Sequence, residues 1–260
     1  MLKLFDTHAH YNDDRFIEVG GAEAVINEEL SLGICGFINC GTSPTTSRES
    51  IELSKKYDSV FAAVGLHPED STEFADHIDD ALDEIRLLTK HEKVVAIGEI
   101  GLDYHWDIEK DLQHEVFEKQ LKMAEELSLP VIVHDRDAHG KTLEMIKAHP
   151  NVRGVMHGYS GSAETAQEYV KMGWYIAFGG PLTYKNAAKV REACAAVPTD
   201  RLLLETDCPY LPPVPHRGEV NRSSYMYFTL SKMAEVKSIS KEECAKCTVE
   251  NAERLFNIKL

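Results

Sequence analysis

The 260-residue chain has no run of about 18 apolar residues, so nothing in it reads as a transmembrane helix, and a charged side chain arrives too early at its start for a secretory signal core. No Gly-rich G-x-G-x-x-G turn follows the first apolar segment, which argues against a dinucleotide-binding sheet. Cysteine is sparse: positions 35, 40, 194, 208, 244 and 247 are scattered through an enzyme-sized chain, a usage that fits reduced thiols rather than a disulfide framework. Cys244 and Cys247 make a C-x-x-C, but it lacks a second pair and lies in a helix-like stretch, which supports neither a zinc finger nor a redox motif. Basic charge is scarce too. Asp and Glu outnumber Lys and Arg by 43 to 28, giving a formal charge of −15, which excludes broad electrostatic adhesion to nucleic acid or anionic membrane. A polyanionic substrate would have to be gripped locally, by bound cations and a few arginines. These absences lead us to expect a soluble cytoplasmic protein with a sizeable core and no obligate protein partner.

What the chain does have is a repeated alternation. Short apolar runs bounded by Gly, Pro or polar turns occupy 3–8, 33–41, 60–67, 94–101, 130–134, 154–157, 175–179 and 201–207. Near-continuous apolar strands are what a sheet buried on both faces requires. Between them lie segments of helical period. Ile78, Ala81, Leu82 and Ile85 fall at i, i+3, i+4 and i+7; Phe117, Gln120, Leu121 and Ala124 repeat the spacing with one polar member. Ala163, Ala166 and Val170 form a stripe that stops at Gly173, and Ser240 with Glu243 has the form of a capping box opening the last helix. Strand alternating with helix, in eight units without a linker, predicts a single-domain (β/α)₈ TIM barrel over residues 1–260.

In such a fold the chemistry collects at the C-terminal ends of the strands. His8 and His10 close the first run, and their spacing puts both imidazoles on one side of an extended chain, able to grip one ion. Glu99 ends the fourth run, His134 the fifth, His157 the sixth and Asp207 the eighth. Any one of these histidines is more often a hydrogen-bonded strand terminus than a ligand; six N and O donors at strand ends change that balance. Converging carboxylates would be costly unless cations filled the space between them, and six mixed donors suit two divalent ions, Zn²⁺, Mn²⁺ or Mg²⁺, sharing a carboxylate. His67 ends the third run and is expected to contact phosphate or carbonyl. His105, His139 and His216 fall in loops after strands, whereas His77, His91, His114 and His149 lie in helical or linking segments and are expected at the surface.

At these residues the chain resembles the TatD family of metal-dependent deoxyribonucleases, within the amidohydrolase superfamily. The motifs are Asp6-Thr7-His8-Ala9-His10, Gly65-Leu66-His67-Pro68, Gly98-Glu99-Ile100-Gly101-Leu102-Asp103-Tyr104, His134-Asp135-Arg136-Asp137-Ala138, His157-Gly158-Tyr159-Ser160-Gly161 and Glu205-Thr206-Asp207-Cys208-Pro209-Tyr210-Leu211. Each is modest, but together they run nearly the whole length in order. The resemblance implies that His8, His10 and Asp207 hold one ion, that His134 and His157 hold another, and that Glu99 bridges them. It also implies nuclease action on DNA, removing nucleotides from 3′ ends; the scarcity of base-reading and stacking residues adds an expected bias to single-stranded ends, and two metal ions would activate the attacking water. The runner-up activity is amide or ester hydrolysis, which is widespread in the superfamily. A barrel that has lost its chemistry and serves as a binding module is disfavoured by the complete ligand set.

On this reading Asp207 doubles as ligand and proton acceptor, and Glu205 orients the water from the same strand face. Arg136, Arg217 and His67 grip phosphate, while Tyr104, Tyr159 or Trp106 stacks a terminal base. Two places depart from the family pattern. Asn221-Arg222-Ser223 stands where Asn-Glu-Pro is common, and Gly179 where a serine is frequent.

Overall fold

Residues 2–260 are described by a computed structural model. Eight strands follow one another in sequence order: β1 (Leu4–Ala9), β2 (Ile34–Cys40), β3 (Val60–Val64), β4 (Val94–Asp103), β5 (Val131–Arg136), β6 (Gly154–Met156), β7 (Tyr175–Phe178) and β8 (Leu202–Leu204). With helices α1 (Ala22–Ser31), α2 (Pro44–Ser54), α3 (Ile78–Leu88), α4 (Lys110–Leu127), α5 (His139–Ala148), α6 (Ala163–Lys171) and α7 (Ala188–Ala196) between them, and α8 (Met226–Lys237) and α9 (Lys241–Phe256) after β8, this is the (β/α)₈ TIM-barrel fold. No helix of the described residues is long and apolar enough to cross a membrane.

The described residues form two compact units, 2–39 with 158–260, and 40–157. In the first unit β1 pairs in parallel with β2, β7 with β8, and a parallel bridge from Ala9 to Cys208 brings the end of β1 beside the chain leaving β8. Leu202, Leu203 and Leu204 are fully or almost fully buried, as are Ile176, Ala177 and Phe178, so these short strands have no polar face. The Ser240 hydroxyl accepts the Glu243 N–H, the expected start of α9, and α6 ends with Gly173 in the left-handed region at φ 85°.

In the second unit β3, β4, β5 and β6 pair in parallel, and every residue of β4 is buried. The stripe read from sequence, Ile78, Ala81, Leu82 and Ile85, is the buried face of α3. Large side chains in such a stripe each contribute about 1.5–3 kcal/mol on burial. Phe117, Gln120, Leu121 and Ala124 are likewise buried on α4, with Gln113 and Val116 beside them. The two glutamines are not packing errors. Gln120 spans the Leu66 peptide, accepting its N–H at 2.8 Å and donating to its carbonyl at 2.9 Å, while Gln113 does the same for Asp103 at 2.8 Å each. One helix thereby clamps two loop starts, seven residues apart along its inner face. Gly101 permits the closest approach of β4 to β5: its φ is 144°, and a Cβ there would lie 2.0 Å from the His134 carbonyl oxygen.

His149 departs from expectation. It is buried at the end of α5, with Nε2 3.0 Å from Glu118 and Nδ1 3.5 Å from Glu125, because those carboxylates on α4 turn inward to meet it.

Candidate metal centre

In the first unit, His8 lies in β1, His10 follows its end, and both imidazoles point the same way, as their spacing predicts: the Nε2 atoms are 2.9 Å apart. Asp207 joins them, with Oδ1 3.6 Å from His8 Nε2 and 3.5 Å from His10 Nε2. Edges of about 3 Å are those of a coordination shell with ligand bonds of about 2.1 Å, so the three atoms fit one divalent ion.

The expected strand geometry does not extend to Asp207, since β8 ends at Leu204 and Asp207 sits in the left-handed region at φ 61°. Aspartate tolerates that conformation better than most residues, but it still needs outside support. The support is dense. Asp207 N–H donates to the His8 carbonyl at 2.9 Å, Tyr210 N–H donates to the Asp207 carbonyl at 2.8 Å, and the buried Asn221 amide donates to the carbonyls of Thr206 and Tyr210 at 3.0 and 2.6 Å. Behind the ligands the fully buried Asp6 carboxylate accepts the N–H groups of His8 and Thr206 and the hydroxyls of Thr206 and Ser223. Burial pushes the Asp6 carboxyl up to about 7, against the pull of those hydrogen bonds.

In the second unit, the other donors meet around Glu99. Its Oε1 lies 2.9 Å from His157 Nε2, 3.0 Å from His134 Nδ1 and 3.4 Å from His67 Nε2, and the His134 and His157 nitrogens are 3.4 Å apart. Glu99 is inside β4, His134 inside β5, His157 one residue past β6, and His67 three past β3. The remaining nitrogen of His134, Nε2, is 3.0 Å from the buried Asp103 carboxylate. That contact fixes the ring so that Nδ1 faces the donor group, an arrangement common behind metal-binding histidines. Burial works against a charge on His134, but the hydrogen bonds it donates to Asp103 and Glu99 and the Glu99 charge prevail and raise its pKa to about 9. The negative field that does this is also what a cation would experience. Imidazole nitrogens with carboxylate oxygens suit Zn²⁺ or Mn²⁺ better than an all-oxygen ion site.

The model of the family described as TatD related DNase matches residues 5–257. The chain belongs to the TatD family. Among its relatives, the uncharacterized metal-dependent hydrolase YabD of Bacillus subtilis is 44% identical over 258 residues, covering 98% of this chain and 99% of its own. The crystal structure of the TatD homologue YjjV from Escherichia coli matches with a TM-score of 0.88 at 32% identity, over 98% of both chains. A TatD-family hydrolase structure from Entamoeba histolytica shares the fold with a TM-score of 0.86 at 23% identity, over 98% of this chain and 99% of that one.

In this TatD-family chain the outlying predicted residues are distributed unevenly. Arg136 ends β5, is exposed, and lies over the Trp106 ring at 5.8 Å; Trp106 is 48% exposed. Tyr104 is tied to α4, its hydroxyl 2.5 Å from His114 Nε2 and its ring under Lys110, and Tyr159 is buried with its hydroxyl on the Ser162 carbonyl. Of the three aromatics named from sequence, Trp106 is the exposed one, with His105 edge-on to its ring at 4.9 Å. Arg217 is exposed and stacks on Tyr184 at 4.0 Å, and His216 stacks on Tyr225 with Nδ1 3.0 Å from Glu219. The Glu205 carboxylate accepts the Gly158 N–H at 2.5 Å, so it holds backbone in place.

Asp6, Asp103, Gln113, Thr206, Asn221 and Ser223 carry supporting roles that no spacing in the sequence points to. A signal was available for two of them: Asp6 and Asp103 are carboxylates close to strand-end ligands, where burial is expected and a hydrogen-bonded partner required. Ser223 stands out in the sequence only as a departure from the family pattern, which does not show what it touches.

Proposed function

We propose that this TatD-family protein is a metal-dependent hydrolase of DNA phosphodiester bonds, acting as a 3′-to-5′ exonuclease on single-stranded ends. The observation that carries the reading is the pair of donor clusters, His8 with His10 and Asp207, and Glu99 with His134 and His157, each with donor spacings of 2.9–3.6 Å. Each cluster would hold one divalent cation, Zn²⁺, Mn²⁺ or Mg²⁺. Bound cations supply Lewis acidity, acidify water and neutralise charge on a phosphoryl group.

The protein's own contributions follow from its side chains. Asp207, one-fifth exposed at its side chain, can accept a proton from an attacking water while its neighbours hold its backbone. Arg136 and Arg217 present guanidinium groups that can pair with phosphate oxygens in bidentate fashion. His67 approaches Glu99 closely enough to donate to it or to a phosphoryl oxygen beside it. Trp106, with Arg136 over its ring, offers a flat apolar surface for a terminal base, and stacking of that kind is tolerant of sequence. A formal charge of −15 opposes long-range attraction of DNA, so binding depends on these local groups.

The test is degradation of end-labelled single-stranded DNA with added Mg²⁺ or Mn²⁺ and with EDTA, run beside a panel of esters and lactams. Stepwise shortening from the 3′ end, abolished by EDTA, is expected. Intact DNA in the presence of metal-loaded protein would reject the proposal, and turnover of the esters alone would transfer the chemistry to carbonyl substrates.

A further inference from the structure

We infer that Ser223 is a positioning residue for the His8, His10 and Asp207 ligand set, acting through Asp6. The inference rests on the reading that those three residues hold a cation.

Asp6 is fully buried, and its two oxygens serve two different segments. Oδ1 accepts the N–H of His8 at 3.2 Å and of Thr206 at 2.9 Å; Oδ2 accepts the hydroxyl of Thr206 at 2.6 Å and of Ser223 at 2.7 Å. One carboxylate therefore joins the backbone of one ligand to the residue preceding another. The Thr206 hydroxyl in turn accepts the N–H of Cys208 at 3.0 Å, so both neighbours of Asp207 are referred to Asp6. Asp207 lies past the end of β8 and adopts φ 61°, so its direction is set by its own backbone bonds to His8 and Tyr210 together with this reference of its neighbours to Asp6.

The proton inventory gives Ser223 a defined orientation. A serine hydroxyl carries one proton, and here that proton goes to Asp6. Its oxygen lies 2.7 Å from the Tyr11 hydroxyl, so Tyr11 must donate to Ser223, and the Tyr11 oxygen accepts the Ser223 N–H at 3.2 Å. The segment is anchored on each side: Asn221 binds the Thr206 and Tyr210 carbonyls, while Arg222 pairs with Glu28 at 2.9 Å and the Ser224 hydroxyl donates to the buried Glu29 at 3.2 Å. Ser223 thus delivers a hydroxyl, from a fixed backbone, to the oxygen of Asp6 that Thr206 also uses. A proline, the residue that the family pattern would place here, has neither the hydroxyl nor the N–H. Arg222 and Ser223 together make this chain's departure from that pattern a coherent substitute.

Removing a group that orients metal ligands from behind typically lowers metal affinity 10–100-fold. Calorimetric titration of metal-stripped full-length protein with Zn²⁺ would measure both sites, with His10→Ala assigning the one in question. Ser223→Ala is expected to weaken that site by less than this, since it acts one bond further back, but by clearly more than twofold, and to leave the Glu99 site within twofold. Tyr11→Phe removes a hydroxyl from the same buried cluster but leaves the Ser223 donation to Asp6, so it should lower the melting temperature while keeping the affinity within about twofold of wild type. Titration with Co²⁺, followed by its visible absorption, provides a second readout of ligand geometry. Unchanged affinity and spectrum in a folded Ser223→Ala protein, or equal losses in both variants, would overturn the inference. Wild-type protein whose Zn²⁺ uptake is unaffected by His10→Ala would instead reject the metal assignment, and the inference with it.

Discussion

Around His8 and Asp207 the supporting groups are hydroxyls, peptide N–H groups and one buried carboxylate, gathered from β1, the chain leaving β8 and a 3-10 turn; around His134 they are one carboxylate and an amide on a helix. The difference follows from where each ligand sits. His134 and Glu99 are inside strands, whose ladders already fix the backbone, so one bond from Asp103 suffices to set the imidazole. Asp207 lies beyond its strand in a left-handed conformation, and its neighbours must supply by many short bonds what a ladder would have given. A strand-borne donor needs its side chain oriented; a loop-borne donor needs its backbone held as well.

The largest effect expected is at the carboxylate of the strand-borne cluster. Glu99→Ala removes the acceptor common to His67, His134 and His157, and hydrolysis should fall by about 10³-fold while circular dichroism remains that of the folded protein. Elemental analysis should show the loss of at least one ion per chain. Activity within tenfold of wild type would break the parity drawn between the two clusters.

Gly101→Ala challenges the strand framework itself. The new Cβ would meet the His134 carbonyl at 2.0 Å in a backbone conformation that L-residues rarely adopt, so a loss of about 3 kcal/mol or more is expected in urea unfolding. An unshifted midpoint would mean that β4 and β5 do not depend on this approach.

Asp103→Ala should leave the fold standing and release the His134 ring. Zn²⁺ affinity at the Glu99 cluster should fall about 10–100-fold in calorimetry, with the His8 cluster unaffected. Equal weakening at both clusters would show that the supports are not separate.

The smallest effect is reserved for Gly179. A Cβ there meets Glu205 Cγ at 3.5 Å, ordinary van der Waals contact, so Gly179→Ala at this buried site should cost less than the ~1–3 kcal/mol of an overpacked core. A large change in melting temperature would reveal a tighter neighbourhood than this spacing implies.

The parts of the molecule legible from sequence are those with a period or a position rule. The α3 stripe appeared as the buried face because burial repeats every 3.6 residues, and His8 with His10 appeared as a pair because strand side chains alternate. Metal-ligand candidates were legible because a TIM barrel puts functional groups at strand ends. Gln113 and Gln120 were harder, since a polar residue in an apolar stripe can be explained only once the peptide it spans is known. His149 differed for the same reason: its two glutamates are 31 and 24 positions away, on another helix, and nothing in the sequence around His149 points to them.

The amino-acid order alone determined the alternation of strand and helix, the family and the donor residues available for a metal, because each of these is written in local spacing. Only the tertiary structure decided that Asp6 serves His8, Thr206 and Ser223 at once, or that Asp103 stands behind His134. Hydrogen bonds join groups by distance and direction in space, and residues 217 positions apart along the chain carry no mark of each other until folding brings them within 2.7 Å.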